Sequence, residues 1–478
     1  MSVARELAEF LASISIDDLP DDTVEHAAMV VASTVASAAA GITIPSAQVI
    51  RDLARERSGR PDASLWFDAG AKLSVPEVAQ ANAVASSAAA SDDSDLRNIV
   101  HAGGLLTAIA LAAGERTQAD GNGVLAAIVC GYEAAGRIGE AMTPGVQEHG
   151  FHGTIGFGRG FHGCVAAVFG ATVAAGRLFG LDPEQLTQAI ALSATSIGGL
   201  MVAAKTSTAR EYHDGIAALI ALQATCAAAR GYVAEESVLE APQGFFELFG
   251  GVPGALGGAV ATADLGASWD ISTDMAIKLL PGGHPYHAFG RAAAAAVADS
   301  GITPEEIESI ILSSPGMERI AGPLHPKNLV EMAHSPAYFA AAGAADADFS
   351  WIHARADKWQ DPVINSLIDK VAAGPEPPVG SPPYRHGGTV TLRTYDGRVA
   401  THTVYQAPGS AACGLGWSEV DAKYRALVPT SGVSEERMDI SLEMIHDLVR
   451  LPAVTALTAM LRVDQRPNSN GRAAMQVP

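Results

Sequence analysis

The chain has 478 residues, of which 48% are hydrophobic and 17% are charged, a composition typical of a globular and largely helical protein. Its formal net charge of −21 argues against nucleic acid or an anionic membrane as a partner, because both are bound through clustered lysine and arginine. The four cysteines are spread along the chain without a CxxC pair, which predicts reduced thiols of a cytoplasmic protein.

The first residues, MSVARELAEFLASISIDDLPDD, lack a basic region followed by a long apolar run, so no signal peptide is predicted. Apolar stretches such as LAAIVCGYEAAGRIG are interrupted by glycine, glutamate and arginine, and they are shorter than the ~20 residues that cross a membrane. We therefore expect a soluble, cytoplasmic protein without a membrane partner.

Residues 1–267 are predicted to form one helix after another, in alanine-rich segments separated by helix-start signals. One signal lies in LDPEQLTQAIALSA, where Asp182 suits the N-cap, Pro183 the first helical position and Gln185 the third position of a capping box. Because small residues dominate these segments, the helix backbones are expected to approach one another closely.

Residues 268–408 mix helix and strand signals. The segment YHAFGRAAAAAVADSG predicts a helix, Thr303-Pro304-Glu305 predicts another helix start, and IESIILSS is typical of a strand. The segment GGTVTLRTYDGRVATHTVYQ predicts a β-hairpin that turns at Asp396-Gly397. This part of the chain is therefore predicted to be an α+β domain.

Residues 409–463 return to helical patterns, and residues 464–478 have no apolar face and are predicted to be a disordered tail. The predicted fold is mainly α with an inserted α+β domain. A large all-helical domain is built from both chain ends, and a smaller α+β domain lies between them in sequence.

A glycine-rich run, HGTIGFGRGFHGC, contains Gly158, Gly160 and Gly163 at the G-x-G-x-x-G spacing of a dinucleotide-binding turn. Such a turn follows a strand, whereas the preceding TPGVQEHGFHGTIG is loop-like and follows a helix, so a nucleotide site is not predicted. The run is instead predicted to be a flexible loop that leads into the apolar helix CVAAVFGATVAAGRLFG. His162 would then lie at the helix N-terminus, where the dipole favours a bound anion and a neutral imidazole.

Five histidines share one setting, a polar break beside small residues: His101, His162, His213, His284 and His287. None of them forms HExxH or another tight metal-ligand spacing, so no metal site is predicted. The sequence also lacks GxSxG and P-loop motifs. The histidines are candidates for acid–base chemistry, and the alternative is that they only fill loops.

Seven stretches of the chain, in order, resemble the MmgE/PrpD family, which includes 2-methylcitrate dehydratases, cis-aconitate decarboxylases and an iminodisuccinate epimerase. They are DDLPDDTVEHAAMVVASTVASAAAGI, DDSDLRNIVHAGGLLTAIALAAGE, GFHGCVAAVFGATVAAGRLFGLDPEQL, EYHDG, SVLEAPQGFFELFGG, IKLLPGGHPYH, and the hairpin followed by LGWSEVDAKYRAL. The resemblance implies the two-domain fold above, a homodimer, an active-site cleft where the domains meet, and catalysis without an iron–sulfur cluster or other cofactor.

The resemblance implies catalytic roles for five residues. His101 follows the paired aspartates of the family, and His162 matches its G-[WF]-H motif; these two would supply acid and base. The resemblance also gives His213 and His287 roles in orienting groups or relaying protons, and Asp93 a role in fixing a histidine tautomer.

The substrate implied by the resemblance is a small carboxylate, clamped by Arg210 and Lys278. Four further residues are candidates for substrate binding: Asp92, His284, Lys205 and Tyr338. The alternative for Asp92 and Asp93 is a solvated pair at a helix start, and the alternative for Lys205 is an ordinary surface lysine.

The chain also departs from the family pattern at four positions. Ala90 stands where the family has an aspartate, Arg210 where it has a lysine, Ala102 where it has a proline and Cys164 where it has a threonine. Arginine keeps the charge and can bind a carboxylate through two N–H groups, but it cannot act as a base near pH 7. These departures predict that substrate and reaction have drifted from methylcitrate dehydration.

The sequence therefore predicts a cofactor-independent lyase of the hydro-lyase (dehydratase) type, which removes a proton α to a carboxylate of a small di- or tricarboxylate. Two alternatives remain open: an isomerase, epimerase or decarboxylase of a dicarboxylate, and a non-catalytic member that only binds a ligand.

Overall fold

The computed structural model describes residues 1–57, 59–143, 160–280, 282–377, 384 and 386–463. They form two compact units. The helical unit comprises the described residues of 1–143, 160–277 and 414–463, and the α+β unit those of 278–413. The sequence places the domain boundaries after residues 267 and 408, whereas the boundaries between the two units of the structure lie after residues 277 and 413. The predicted tail, 464–478, lies outside the described residues.

The helical unit contains few strands, and they form two short antiparallel pairs: Ala63–Ser64 with Lys72–Leu73, and Asp93–Asp95 with Met275–Ile277. Its α-helices are Val3–Ser13, Asp21–Gly41, Pro45–Arg57, Val75–Ala88, Gly103–Thr117, Gly121–Ala141, Cys164–Leu178, Pro183–Ala194, Met201–Thr206, Ala209–Ala228, Gly254–Ala261, Asp270–Thr273, Trp417–Leu427, Glu435–His446 and Thr455–Met460. The prediction of a mainly helical chain with a smaller α+β part is confirmed.

Local signals set helix starts as the sequence predicts. The helix Pro183–Ala194 begins after Asp182, whose carboxylate accepts a hydrogen bond from the Gln185 backbone N–H at 2.8 Å. The Asp182 backbone N–H in turn donates to the side-chain oxygen of Gln185 at 3.2 Å. The four cysteines are free, as their spacing predicts.

Small residues bring two central helices close together. Gly131 lies in Gly121–Ala141 and Gly170 in Cys164–Leu178, and a Cβ added at Gly170 would lie 2.2 Å from the Gly131 carbonyl oxygen. Even an alanine methyl group does not fit between these backbones, so glycine is required for the close approach.

Replacing Gly170 with alanine should therefore destabilise the helical unit by about 1–3 kcal/mol, although alanine is the better helix former by about 1 kcal/mol. Urea unfolding measures this change. Gly198→Ala is the control, because a Cβ there meets no atom within 4 Å, its φ is not positive and it lies outside the described helices. An unchanged unfolding free energy for Gly170→Ala would contradict the close packing.

One helix, Asp21–Gly41, is long and apolar enough to cross a membrane by length and composition alone. However, 78% of its most apolar window is buried inside the structure, and it packs against Val75–Ala88 and Trp417–Leu427. This is the burial pattern of a core helix.

The α+β unit is built around a four-stranded sheet with the order Val371–Ala373, Ile307–Ser313, His386–Thr394, Val399–Gln406. The first two strands are parallel and the other pairs antiparallel. Its α-helices are His284–Ser300, Leu329–Ala333, Pro336–Asp346, Ala356–Trp359 and Pro362–Ile368. The predicted hairpin is confirmed, with Asp396-Gly397 between its two strands.

The helix start predicted at Thr303 leads only to one 3₁₀ turn, Pro304–Glu306, before the strand begins at Ile307. The capping box is formed, with the Thr303 N–H donating to the Glu306 carboxylate at 2.9 Å. A capping box specifies where a helix starts but not how far it runs, and the β-branched residues that follow favour the strand.

Candidate active site

Three of the predicted histidines come together in the helical unit. The ring centroids of His101 and His162 are 6.3 Å apart, and those of His162 and His213 are 5.2 Å apart. His101 lies just before the helix Gly103–Thr117, His162 lies two residues before Cys164–Leu178, and His213 lies in the helix Ala209–Ala228. Three separate elements therefore contribute to one cluster.

The hydrogen bonds of His101 define its tautomer. Its Nδ1 lies 2.7 Å from the Asp93 carbonyl oxygen, which can only accept, so Nδ1 carries the hydrogen. In neutral His101, Nε2 is then the nitrogen with a lone pair. The contact with His101 is made by the backbone carbonyl of Asp93, while its carboxylate accepts a hydrogen bond from the Tyr132 hydroxyl at 2.9 Å. The role of Asp93 in fixing a histidine tautomer stays a prediction.

His162 is almost fully buried, with 4% of its surface exposed. Its Nδ1 accepts a hydrogen bond from the Cys164 N–H at 3.4 Å, so the neutral ring carries its hydrogen on Nε2. Burial lowers the pKa of His162 well below its usual value, and the charges of His101, His213 and Arg210 lower it further. The predicted position of His162 next to a helix N-terminus is confirmed; Gly158 of the glycine run lies outside the described residues.

His213 is half-buried, and burial lowers its pKa. Its neighbour Asp214 is 3% exposed and accepts a hydrogen bond from the Ser87 hydroxyl at 2.5 Å. Burial and the charge of Asp92 raise the pKa of Asp214 to about 7, against the opposing effects of the Ser87 hydrogen bond and Arg210. Sequence reasoning missed Asp214; its only signal was its place next to His213 in EYHDG.

Asp92 and Arg210 also lie at this cluster. Asp92 is 3% exposed, and its carboxylate lies 3.9 Å from Nδ1 of His101, so it is not a solvated surface residue. Arg210 is 9% exposed, and its Nη2 donates to the Ser87 carbonyl oxygen. Lys205, by contrast, is exposed at the end of the short helix Met201–Thr206.

The other predicted site residues belong to the α+β unit. Lys278, His284 and His287 are all buried there, and the two histidine ring centroids are 5.0 Å apart. Tyr338 lies in the hydrophobic core of this unit, where its hydroxyl donates to the His353 carbonyl oxygen at 2.8 Å. The roles of Lys278, His284, His287 and Tyr338 stay predictions from the family resemblance.

A group of five carboxylates, four of them buried, lies in the helical unit. Its members are Asp95, Glu133, Glu140, Asp270 and Asp274, and they face the guanidinium groups of Arg97 and Arg137. Burial, together with the charges of Asp274 and Glu140, raises the pKa of Asp95 to about 8. Arg97 forms ion pairs with Asp274 at 2.5 Å and with Glu140, and its positive charge offsets part of the negative charge of this group.

Replacing Asp95 with asparagine should stabilise the protein at pH 8, by at least the ~1.4 kcal/mol that corresponds to one pKa unit. The folded pKa lies above the unfolded value of about 4, so the wild type loses stability as the pH rises from about 4 to about 8. Asparagine keeps the Oδ1 that accepts from the Arg97 and Asn98 N–H groups. Urea unfolding at pH 5 and pH 8 measures the effect.

Asp17→Asn, at an exposed position, is the control for this pH dependence. If Asp95→Asn loses stability between pH 5 and pH 8 as steeply as the wild type, the pKa of Asp95 is not the source of this pH dependence.

Imidazole, carboxylate and guanidinium groups gathered in one buried cluster are the groups of an enzyme that works by acid–base chemistry. Comparison with known families identifies the enzyme group. The MmgE/PrpD N-terminal domain matches residues 5–255, and the MmgE/PrpD C-terminal domain matches residues 281–448. The chain belongs to the MmgE/PrpD family, as the sequence motifs indicate.

Two curated relatives are cis-aconitate decarboxylases or similar to them. The cis-aconitate decarboxylase of Aspergillus terreus is 27% identical over 252 residues, which are 51% of this chain and 49% of the relative. The cis-aconitate decarboxylase-like protein oryM of Aspergillus oryzae is 26% identical over 306 residues, 58% of each chain. The chain thus spans about half the length of the curated relatives that it matches.

Proposed function

We propose that this protein is a cofactor-independent lyase that acts on a small di- or tricarboxylate through removal of a proton α to a carboxylate. The observation that carries the proposal is the convergence of His101, His162 and His213 with Asp92 and Arg210 in one buried cluster. A non-catalytic member of the family would not need three imidazoles in contact at one place.

The tautomers assign different tasks to the two central histidines. His101 holds a hydrogen on Nδ1, so its Nε2 can accept the proton from the substrate carbon. His162 carries its hydrogen on Nε2, which can donate to the negative charge that develops on the substrate carboxylate. Because His162 is buried, this donor works in a low-dielectric environment, where a hydrogen bond to a charge is stronger.

Arg210 supplies the positive charge for a substrate carboxylate. It replaces the lysine of the family motif, and a guanidinium binds a carboxylate through two parallel N–H groups. The hydrogen bond from Nη2 of Arg210 to the Ser87 carbonyl oxygen orients the guanidinium group. Asp214, whose pKa of about 7 lies close to the working pH, is a second proton donor and acceptor beside His213.

Two reactions fit this arrangement. In dehydration, His101 takes the α-proton, the C–O bond breaks, the hydroxyl leaves with a proton as water, and a C=C bond forms. In decarboxylation, the favoured second candidate because of the named relatives, a C–C bond breaks, CO₂ leaves, and the carbon receives a proton.

The test is incubation of the full chain with citrate, 2-methylcitrate, cis-aconitate and related acids in D₂O, followed by NMR. Deuterium exchange with new C=C absorbance supports dehydration. Release of CO₂ with deuterium on the carbon that lost it supports decarboxylation. Deuterium exchange without a new C=C bond and without CO₂ supports an epimerase. Absence of exchange and turnover with every acid would contradict the proposal. The predicted homodimer is tested separately, by light scattering.

A further inference from the structure

The cluster contains a set of metal donors that acid–base chemistry does not require. His162, Cys164 and His213 each offer one ligand atom, and these atoms all lie within 4.8 Å of one another. One thiolate with two imidazoles is a donor set that zinc and similar thiophilic cations prefer. Motif spacing could not reveal it, because one histidine comes from a distant helix.

The backbone leaves space between these donors. Gly199 has a φ of +142°, and a Cβ at this position would lie 2.7 Å from the Cys164 sulfur, 3.4 Å from Cγ of His213 and 3.5 Å from Cβ of His162. Any side chain at residue 199 would thus crowd the Cys164 sulfur and contact the side chains of His162 and His213. The neighbouring Gly198 is exposed, which leaves an approach for an ion on that side of the described chain.

The donor atoms make few hydrogen bonds with the rest of the described chain. The Cys164 thiol donates to the Gly198 carbonyl oxygen at 3.5 Å, and the Cys164 N–H donates to Nδ1 of His162 over a long distance of 3.4 Å. Among the described residues, Nδ1 of His213 has no hydrogen-bond partner although it is buried. A buried ring nitrogen without a partner is costly, and a metal ion would satisfy it.

We infer that His162, Cys164 and His213 bind a thiophilic divalent cation of the zinc class, and that the bound ion withdraws both histidines from proton transfer. Binding is a simple exchange: the thiol proton goes to solvent, and a sulfur–metal bond and two nitrogen–metal bonds form. The second half of the inference, inhibition, rests on the proposed function; metal binding itself does not. By the family resemblance, Cys164 stands where the family motif has threonine.

The experiment adds Zn²⁺ or Co²⁺ to the purified full chain, without substrate. We expect one equivalent of zinc per chain after gel filtration, and a thiolate-to-cobalt charge-transfer band with Co²⁺. Cys164→Thr should lose that band and bind zinc about 100-fold more weakly or worse. Cys413→Ser, which removes an exposed thiol in the α+β unit, should bind metal like the wild type.

Equal zinc binding by the wild type and Cys164→Thr, or a cobalt complex without the thiolate band, would overturn the site. If Cys164→Thr fails to fold, His213→Asn takes its place. Zinc should then raise the melting temperature of the wild type and not of His213→Asn, because only a folded site gains stability from its ligand.

Inhibition is tested once a substrate is known. Wild-type turnover should fall in proportion to zinc occupancy, whereas zinc should have little effect on the remaining turnover of Cys164→Thr. If turnover persists when zinc fully occupies the site, the inference that bound zinc inhibits the enzyme is overturned. A protein that binds zinc at Cys164 but turns over no acid leaves the metal site standing and contradicts only the proposed lyase.

Discussion

Replacing His162 with alanine should lower the rate of substrate turnover, or of α-proton exchange, by about 10²–10³-fold, with the fold intact. The reason is the buried Nε2–H, which is the donor for developing negative charge; loss of one such donor costs this much in rate. The measurement compares kcat and kcat/KM of the variant with those of the wild type, because a donor that acts only in the transition state lowers both.

Two further variants separate chemistry from structure at His162. His162→Gln keeps an N–H donor without a titrating ring, so it should retain at least about 10-fold more activity than His162→Ala. His325→Ala is the control, since His325 is an exposed histidine of the α+β unit paired with Asp369 at 2.8 Å. Unchanged turnover in His162→Ala, with only a lower melting temperature, would make His162 a structural residue.

Sequence reasoning succeeded where the cause is local. The capping box at Asp182, the hairpin at Asp396-Gly397 and the helix that begins after His162 depend on neighbouring residues, and the structure has all three. At Thr303 the same local signal starts only the 3₁₀ turn Pro304–Glu306, and the strand predicted from IESIILSS follows at once as Ile307–Ser313.

Sequence reasoning was weaker where the cause is tertiary. The motifs named His101, His162 and His213, but only packing shows that their rings are neighbours. Asp214 has a raised pKa because its helix packs closely on Val75–Ala88, which buries its carboxyl group. No local pattern reports this burial.

Tyr338 is a predicted site residue whose position in the sequence also has a structural explanation. It lies near a family tyrosine in sequence, yet its side chain is fully buried in the α+β core, and its hydroxyl is bonded to the chain itself. Burial of a tyrosine with its hydroxyl satisfied is ordinary core packing, so the structure offers a reason for this residue that does not involve substrate.

Replacing Phe245 with alanine should cost about 3–5 kcal/mol of unfolding free energy and should also disturb His162. Phe245 is 3% exposed, packs edge-to-face on Phe169 at 4.9 Å and stacks on Phe249 at 5.0 Å. Phe249 in turn contacts Phe161 at 4.5 Å, and Phe161 directly precedes His162. This aromatic row therefore connects the core to the backbone that carries the proposed donor.

The row makes Phe245 a positioning residue, and its test includes a measurement that lost core packing alone would not change. At a temperature where Phe245→Ala is folded, kcat should fall by about 10-fold or more, because a displaced donor binds the transition state less well. Phe245→Leu restores most of the buried volume and should recover both stability and kcat. Phe10→Ala, which removes a different aromatic contact in the helical unit, with Trp269 at 5.9 Å, should lower stability without changing kcat. If Phe245→Ala behaves in the same way as Phe10→Ala, the row stabilises the core and has no part in placing His162.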